Sequence, residues 1–565
     1  MYKTDLLNFQ KDNWIYSVLL FPLIILFLFF SISTYYLLFF KHLSKFVFIF
    51  SYILAELFLF MLNPKKFIQS FVCSTIILFI TIYSTTFVYD YTWDGNSYHK
   101  LCTGLIKEGW NPVKETITTA IGRNNIFAAG TALNPFYDGY PKASYLIAAT
   151  VYAFTENIET GKVYTLLALI SAFAIIFNTS KKALKTSILG SIMIAFSLCC
   201  TPVVFSQLYT YYNDGLLHLM FFIACAELMV IYNQEHLTLD HFLVAISIII
   251  AVNLKYSAII IMTIPCFFYL VFIIFKHPRK LKSTIIFFLC IIFSALIVLG
   301  LTSYVHNIIF HHNPFYTLIG KGKEDVFSDS IPKAYKSIPN ILRLVFSIFS
   351  PVSNNHYTEE ILLKIPFTIT KDSLNDMIFG NDIRMGGWGI FFSGIFILSI
   401  LAFIYRIIKY KFDKFEWSFI IITISTFLPA FFLNCLNNAR YWPFVFLYSS
   451  YLIIAFEKEM NVPKKITTFC KYCLFILILL NTAIPALSNI YLAKKTWNTK
   501  KQYKSLVLVY KDNRDLYFDF SGLIYNLHDN HIFVKQKALL ESVKPENLVP
   551  YVDYYLGSIF IESIE

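Results

Sequence analysis

Tyr89-Asp90-Tyr91-Thr92-Trp93-Asp94-Gly95-Asn96-Ser97-Tyr98-His99 follows directly on an apolar run at 67–88. An α-helix needs about 20 apolar residues to cross the hydrocarbon core of a bilayer. The run therefore reads as a transmembrane helix, and 89–99 as the chain's first residues beyond it. Carboxylates at such a boundary are costly, and a helix bundle does not need them for packing. A carboxylate held there can act on a substrate whose other end is a lipid.

The whole chain has the same character. It has 565 residues, 57% hydrophobic and 15% charged, with a mean hydropathy of +0.60. Soluble domains carry about 25% charged residues, so this is an all-α polytopic membrane protein. The net charge of +12 does not point to nucleic acid, because Lys and Arg gather in short loops between apolar runs. The clusters are Lys65-Lys66, Lys181-Lys182-Lys185, Lys276-Arg279-Lys280-Lys282, Arg406-Lys409-Lys411-Lys414 and Lys458-Lys464-Lys465. Such clusters mark cytoplasmic loops. Most of the Cys lie within apolar runs, as small buried hydrophobes do, and Cys470-Lys471-Tyr472-Cys473 reads as part of a membrane helix.

Thirteen spans are expected, at 16–40, 45–62, 67–88, 162–178, 186–203, 215–232, 240–254, 257–275, 283–303, 386–405, 417–434, 442–456 and 466–488. An N-terminus on the cytoplasmic side puts all five basic clusters there and leaves the C-terminus outside; Lys41 and Lys45 are the misfit. The apolar stretch 143–155 is short for a crossing and reads as a helix lying on the outer surface. Residues 1–488 then form the transmembrane domain with large outer loops at 89–161 and 304–385. Residues 489–565 form a small outer α/β tail, with strand-like runs at 506–510 and 532–534.

On this topology the unusual polar residues meet at the outer ends of the helices. Asp90 and Asp94 open the first loop, with Tyr98 and His99 close behind. Asp214 begins a span, Lys255 sits in an outer hairpin, and Arg440-Tyr441 precedes another span. Arg and Lys can clamp phosphate, and a carboxylate can take a proton from an attacking hydroxyl. Bland readings stay open beside this one: Asp214 as a helix N-cap, Lys255 and Arg440 as snorkelling anchors. His306, His311 and His312 make at most half a zinc site, since no Cys or carboxylate stands at ligand spacing. No metal site or cofactor is expected, beyond the option of a divalent cation near Asp90. The chain has no phosphate-binding Gly-rich loop, hydrolase elbow or zinc-protease motif.

Taken in order, these marks resemble the GT-C superfamily, membrane glycosyltransferases that use polyprenyl-phosphate sugars, in particular bacterial protein mannosyltransferases and aminoarabinose transferases. Asp94 with Tyr98-His99 matches the acidic motif that opens the family's first outer loop. Gly109-Trp110-Asn111-Pro112, Asn134-Pro135-Phe136-Tyr137 and Tyr140-Pro141-Lys142 continue the likeness. Asp214, Lys255, Asn313-Pro314-Phe315-Tyr316 and Arg440-Tyr441 extend it over roughly 67–456. Two departures stand out. Many relatives have Asp-Glu where this chain has Asp94-Gly95, and two extra spans precede the loop.

The resemblance implies transfer of a sugar from a polyprenyl-phosphate donor to a glycan, lipid or protein acceptor on the outer face of the bacterial cytoplasmic membrane. Asp94 is then the base, with Asp90 a second acid. Tyr98, His99, Lys142, Asp214, Lys255, Arg440 and Tyr441 are then substrate-binding. A lipid-linked saccharide flippase and an O-antigen polymerase or ligase remain alternatives. Long outer loops argue against the first and the scarcity of Arg, with only Arg123, Arg343 and Arg384 in those loops, against the second. Reporter fusions after residues 63, 183, 280, 410 and 461 should give cytoplasmic signals, and those after 120, 340 and 520 external ones. A cytoplasmic signal at 120 would overturn the site reading.

Overall fold

The structure is a computed structural model. It describes residues 14–124, 135–232, 234, 238–320, 331–355, 357–380, 382–409, 412, 414–425, 435–458, 464–510, 516–518, 520, 522–532, 548–553 and 558–562. The described chain is mostly helix, and nine helices are long and apolar enough to cross a membrane. The first, Trp14–Phe39, is the hub: Leu20, Phe21, Leu23, Ile25 and Phe29 are fully buried in it. Lys45–Leu62, Phe67–Ser84, Ala143–Thr155 and Tyr164–Lys182 pack around it. Lys45–Leu62 and Phe67–Ser84 turn rows of apolar side chains outward, among them Phe46, Phe50, Ile53, Leu57, Ile68, Ile76 and Ile80. Rows of that size are untenable in water and are the face a helix shows to lipid.

Several expected spans are broken. Ile188–Cys199 ends where Thr201 caps Val204 N (3.2 Å) and Pro202 starts a second short helix. Proline tolerates a first helical turn but not the interior of a helix. Leu239–Val252 stops at Asn253, whose amide donates to the carbonyls of Ile249 and Ala295. The expected span at 283–303 is α-helical only to Phe293, then loosens into a π turn and a 3-10 turn. That at 442–456 is a 3-10 turn followed by Leu447–Glu457. The helix within 417–434 is described to Ile424 as part of Lys414–Ile424, and 426–434 lie outside the described residues.

Two expectations are corrected outright. Ala143–Thr155 does not lie on a surface: every residue from Ala143 to Ala153 is buried, against Trp14–Phe39, Lys45–Leu62 and Lys100–Glu108. Residues 506–510 are not a strand but the end of a 47-residue helix, Lys464–Tyr510. Tyr503 and Leu506, one turn apart, are both fully buried, so helical packing overrides the β preference of Val507 and Val509. The helix runs straight through the expected boundary at 488/489. Beyond it, Leu516–Phe518, Leu548–Asp553 and Ser558–Glu562 form an antiparallel sheet with the last strand in the centre, and Leu523–Asp529 is a short helix. Of the other strand-like run, 533–534 lie outside the described residues.

This tail is locked to the loop at 89–99 by buried charge. Lys100 Nζ donates to Glu159 at 2.5 Å and to Asn526 Oδ1 at 3.0 Å; Lys162 pairs with the same Glu159, and Asn526 Nδ2 returns a bond to it at 2.8 Å. Gly522 N donates to the Asn96 carbonyl at 2.9 Å. Asp529 accepts from Tyr152 Oη (2.9 Å) and Ile158 N (2.6 Å). Lys100, Glu159 and Lys162 are essentially inaccessible. Removing one partner of a buried pair strands a charge and costs about 3–5 kcal/mol. Glu159→Gln strands two ammonium groups, so its melting midpoint in detergent should fall by at least that equivalent. A drop no larger than that of a surface variant would show the network to be hydrated.

Candidate functional site

After helix Phe67–Ser84 the chain turns inward and makes a single π turn, Gly95–His99. Such turns occur mostly as one-turn insertions, often at functional sites. Asp90 fastens the turn: its carboxylate accepts from Thr92 N at 2.8 Å and Tyr211 N at 2.7 Å, and its carbonyl accepts from Asn96 Nδ2 at 3.0 Å. It is fully buried, and burial pushes its pKa up against the pull of Lys100. Asp90 is thus a loop fastener and does not join Asp94.

Asp94 faces the other way. Its Oδ2 lies 3.2 Å from an Nη of Arg440, which also bonds Asp214 through Nε at 2.8 Å and Asp382 through its other Nη at 2.6 Å. Asp214 bridges Arg440 to Lys255, and Arg384 pairs with Asp382 at 2.5 Å. The guanidinium stands over the Tyr212 ring at 4.2 Å, and the Lys255 ammonium over Tyr441 at 4.4 Å. Asp94, Asp214, Lys255, Arg440 and Tyr441, proposed separately from sequence, are therefore one cluster. Tyr98 borders it, stacked on Tyr137 with centroids 5.2 Å apart. His99 lies beneath, between the rings of Tyr145 and Tyr212, and burial pushes its pKa down to about 3. It is a neutral packing group at ordinary pH.

Lys142 is elsewhere. Its buried ammonium donates to the carbonyls of Asp138 and Tyr140 and sits over Trp110 at 5.5 Å. Asn134 lies outside the described residues. Asn111 closes the end of the hub helix, donating to the carbonyls of Leu37 (2.7 Å) and Phe40 (3.1 Å). Asp382 is the residue that sequence reasoning missed. Its only signal was a run of acid, apolar residue and Arg384 just ahead of a span.

The electrostatics divide the cluster into a frame and a rim. Asp214 is wholly buried and Arg440 only 8% exposed, whereas Asp94 and Asp382 reach 21% and 22%. Burial opposes the charge on Arg440, but Asp214 and Asp382 outweigh it and hold the guanidinium above its ordinary pKa. Burial also works against Asp382, yet Arg440 and Arg384 keep it below the usual carboxylate range. Asp94 differs: burial dominates, and its pKa is raised despite Arg440.

Helix directions give the cluster its place in the bundle. Asp214–Ile231 and Ser257–Lys276 both start beside it, and Leu447–Glu457 follows closely on Arg440. Their far ends carry the basic loops. There Lys280 Nζ meets the Gln234 carbonyl at 2.6 Å, and Glu457 accepts from Ser187 N (2.7 Å) and Lys471 (2.6 Å). The site and these basic loops therefore occupy opposite ends of the helices. No protein-family model matches this chain, and no curated protein sequence matches it either.

Because Asp214 bridges two cations in a dry setting, Asp214→Asn should destabilise the protein by about 3–5 kcal/mol. Asp382→Asn, at the rim, should cost about 1 kcal/mol or less. Thermal midpoints of the two variants in one detergent would check the order, and equal losses would dissolve the division into frame and rim.

Proposed function

We propose that the protein is a membrane glycosyltransferase of GT-C type that moves a sugar from a polyprenyl-phosphate donor to a cell-envelope acceptor on the outer face of a bacterial cytoplasmic membrane. The observation that carries this reading is Asp94, a half-sheltered carboxylate with a raised pKa, 3.2 Å from a buried guanidinium at the end of the helix bundle opposite the basic loops. A lipid-linked donor fits the setting, since its tail can lie among apolar helix faces while its head group meets charge at the helix ends.

In this mechanism Asp94 takes the proton from the acceptor hydroxyl or amine as the acceptor atom attacks the anomeric carbon. The bond from that carbon to the phosphate oxygen breaks, and its electron pair leaves on the phosphate. Lys255 and Arg384, the cations nearest the rim, meet the charge that develops there, and donors fixed in advance are the efficient way to stabilise it. Asp214 is a positioning residue that holds Arg440 and Lys255 in register. A raised pKa makes Asp94 a stronger base than a solvated carboxylate.

The test uses purified protein, a polyprenyl-phosphate sugar and an envelope extract. Asp94→Asn keeps shape and hydrogen bonding, and should lower the transfer rate on the order of 10²–10⁴-fold with little change in donor KM. Rate is present while Asp94 is ionised and is lost as pH falls through its pKa. The acid limb of kcat/KM should thus lie above the ordinary carboxylate value and vanish in the variant. Full transfer by Asp94→Asn, or an unchanged acid limb, would remove Asp94 from the chemistry. Translocation of the intact donor with no transfer would favour the flippase reading.

A further inference from the structure

A second constellation lies apart from the Arg440 cluster. Asp138, in the first long loop, meets His306 and His311, on the helix Tyr304–His311. Both imidazoles present Nε2 to the same carboxylate oxygen, at 3.3 Å for His306 and 2.8 Å for His311. The three donor atoms lie within 4.8 Å of one another. We infer that Asp138, His306 and His311 form a zinc-class metal site that staples the two long loops together, independently of sugar transfer.

The geometry suits the ion. Bonds of about 2.0–2.1 Å in a tetrahedral site place neighbouring ligand atoms about 3.3 Å apart, close to the spacings seen. Two imidazoles and one carboxylate suit Zn2+ or a neighbouring transition metal, whereas Ca2+ and Mg2+ take oxygen ligands. Two of the three ligands are held from behind. The other Asp138 oxygen accepts from Ile117 N at 2.8 Å, and the His311 ring lies flat on Tyr316 with centroids 3.6 Å apart and planes 6° apart. Such support normally accompanies a metal ligand. Among the described residues no partner meets His306 Nδ1, which is buried, so the ring proton that Nε2 now directs at Asp138 can move to Nδ1 and leave the Nε2 lone pair to a metal.

Protonation states agree. Burial lowers the pKa of His306 against the opposing bond to Asp138, so the ring is neutral. Burial alone would raise Asp138, but the His306 bond and Lys142 hold it below the usual range, so it is ionised. Lys142 is the cation that a metal would have to tolerate. His306 and Asp138 are nearly inaccessible and His311 is 17% exposed. The open side at His311 gives an ion a way in and leaves a fourth position for water, the pattern of a three-ligand zinc site.

The test uses the full chain, purified in detergent without a polyhistidine tag, stripped with EDTA and then given Zn2+ or Co2+. About one Zn2+ per chain should remain after desalting, and Co2+ should give visible absorption of a low-coordinate site. Loss of an outer-shell partner alone weakens metal binding 10–100-fold. His311→Ala, which removes a ligand, should weaken it by about 100-fold or more, and Asp138→Asn likewise. His312→Ala, an exposed neighbour outside the triad, should bind as the parent does. His311→Ala decides the matter if Asp138→Asn fails to fold, because its ring is at the surface edge. Failure of the parent to retain Zn2+, equal loss in His312→Ala, or displacement of Zn2+ by millimolar Mg2+ would each overturn the site. None of these readouts depends on transferase activity.

Discussion

Arg440 holds three carboxylates that come from three distant parts of the chain. Asp94 opens the first long loop, Asp214 begins a membrane helix and Asp382 closes the second long loop. Ion pairing in a dry setting gains only when charges balance and donors are used up. Arg440, Lys255 and Arg384 balance Asp94, Asp214 and Asp382, so the group is neutral as a whole. Its neutrality also makes it responsive. An arriving phosphate adds negative charge that the cations can meet only if a carboxylate yields its share. Asp94 is the member whose pKa is raised, and it stands at the rim. It is therefore the carboxylate that gives up its charge most readily, and on the proposed reading it does so by taking the acceptor's proton.

The loop that presents Asp94 is rigid for a separate reason. Asp90, four residues earlier, is consumed by backbone amides of its own loop and of Tyr211. Lys100, just past the π turn, sits in the Glu159 network with Asn526 of the tail. The two ionic systems thus flank one short turn, one fixing its position and the other using it. A base must be held within a fraction of an ångström to help a proton move. Here the turn is fixed by burial on one side, and on the proposed reading the other side is open to substrate.

Much of this was legible in the sequence. Apolar length identified the hub helix and the lipid-facing pairs, and charge placement identified which helix ends carry the basic loops. Asp94, Asp214, Lys255 and Arg440 could be grouped because each is expensive at the depth where it occurs. What escaped needed a partner far along the chain. Asp138 gains meaning only beside His306 and His311, residues that sequence spacing cannot bring to it. Asp382 reads as an ordinary loop acid until Arg440 reaches it. The burial of Ala143–Thr155 was hidden because a short apolar helix fits an interface and a protein interior equally well. The strand-like run at 506–510 misled because its branched residues report local preference, while the burial of Tyr503 and Leu506 is set by neighbours.

Gly95 ties these strands together. A residue with a Cβ at that position would drive it into the Asp90 carboxylate and the Thr92 hydroxyl. The same hydroxyl accepts from Gly95 N at 3.1 Å, so the turn closes on itself with no space left over. A Glu after Asp94 cannot be accommodated while Asp90 keeps its backbone partners. The loop's other acid, Asp90, is thus a buried group that builds the turn and not a second acid at the rim. On the proposed reading the loop offers a single rim carboxylate, Asp94, in contact with Arg440, and any further negative charge near the substrate has to come from Asp382.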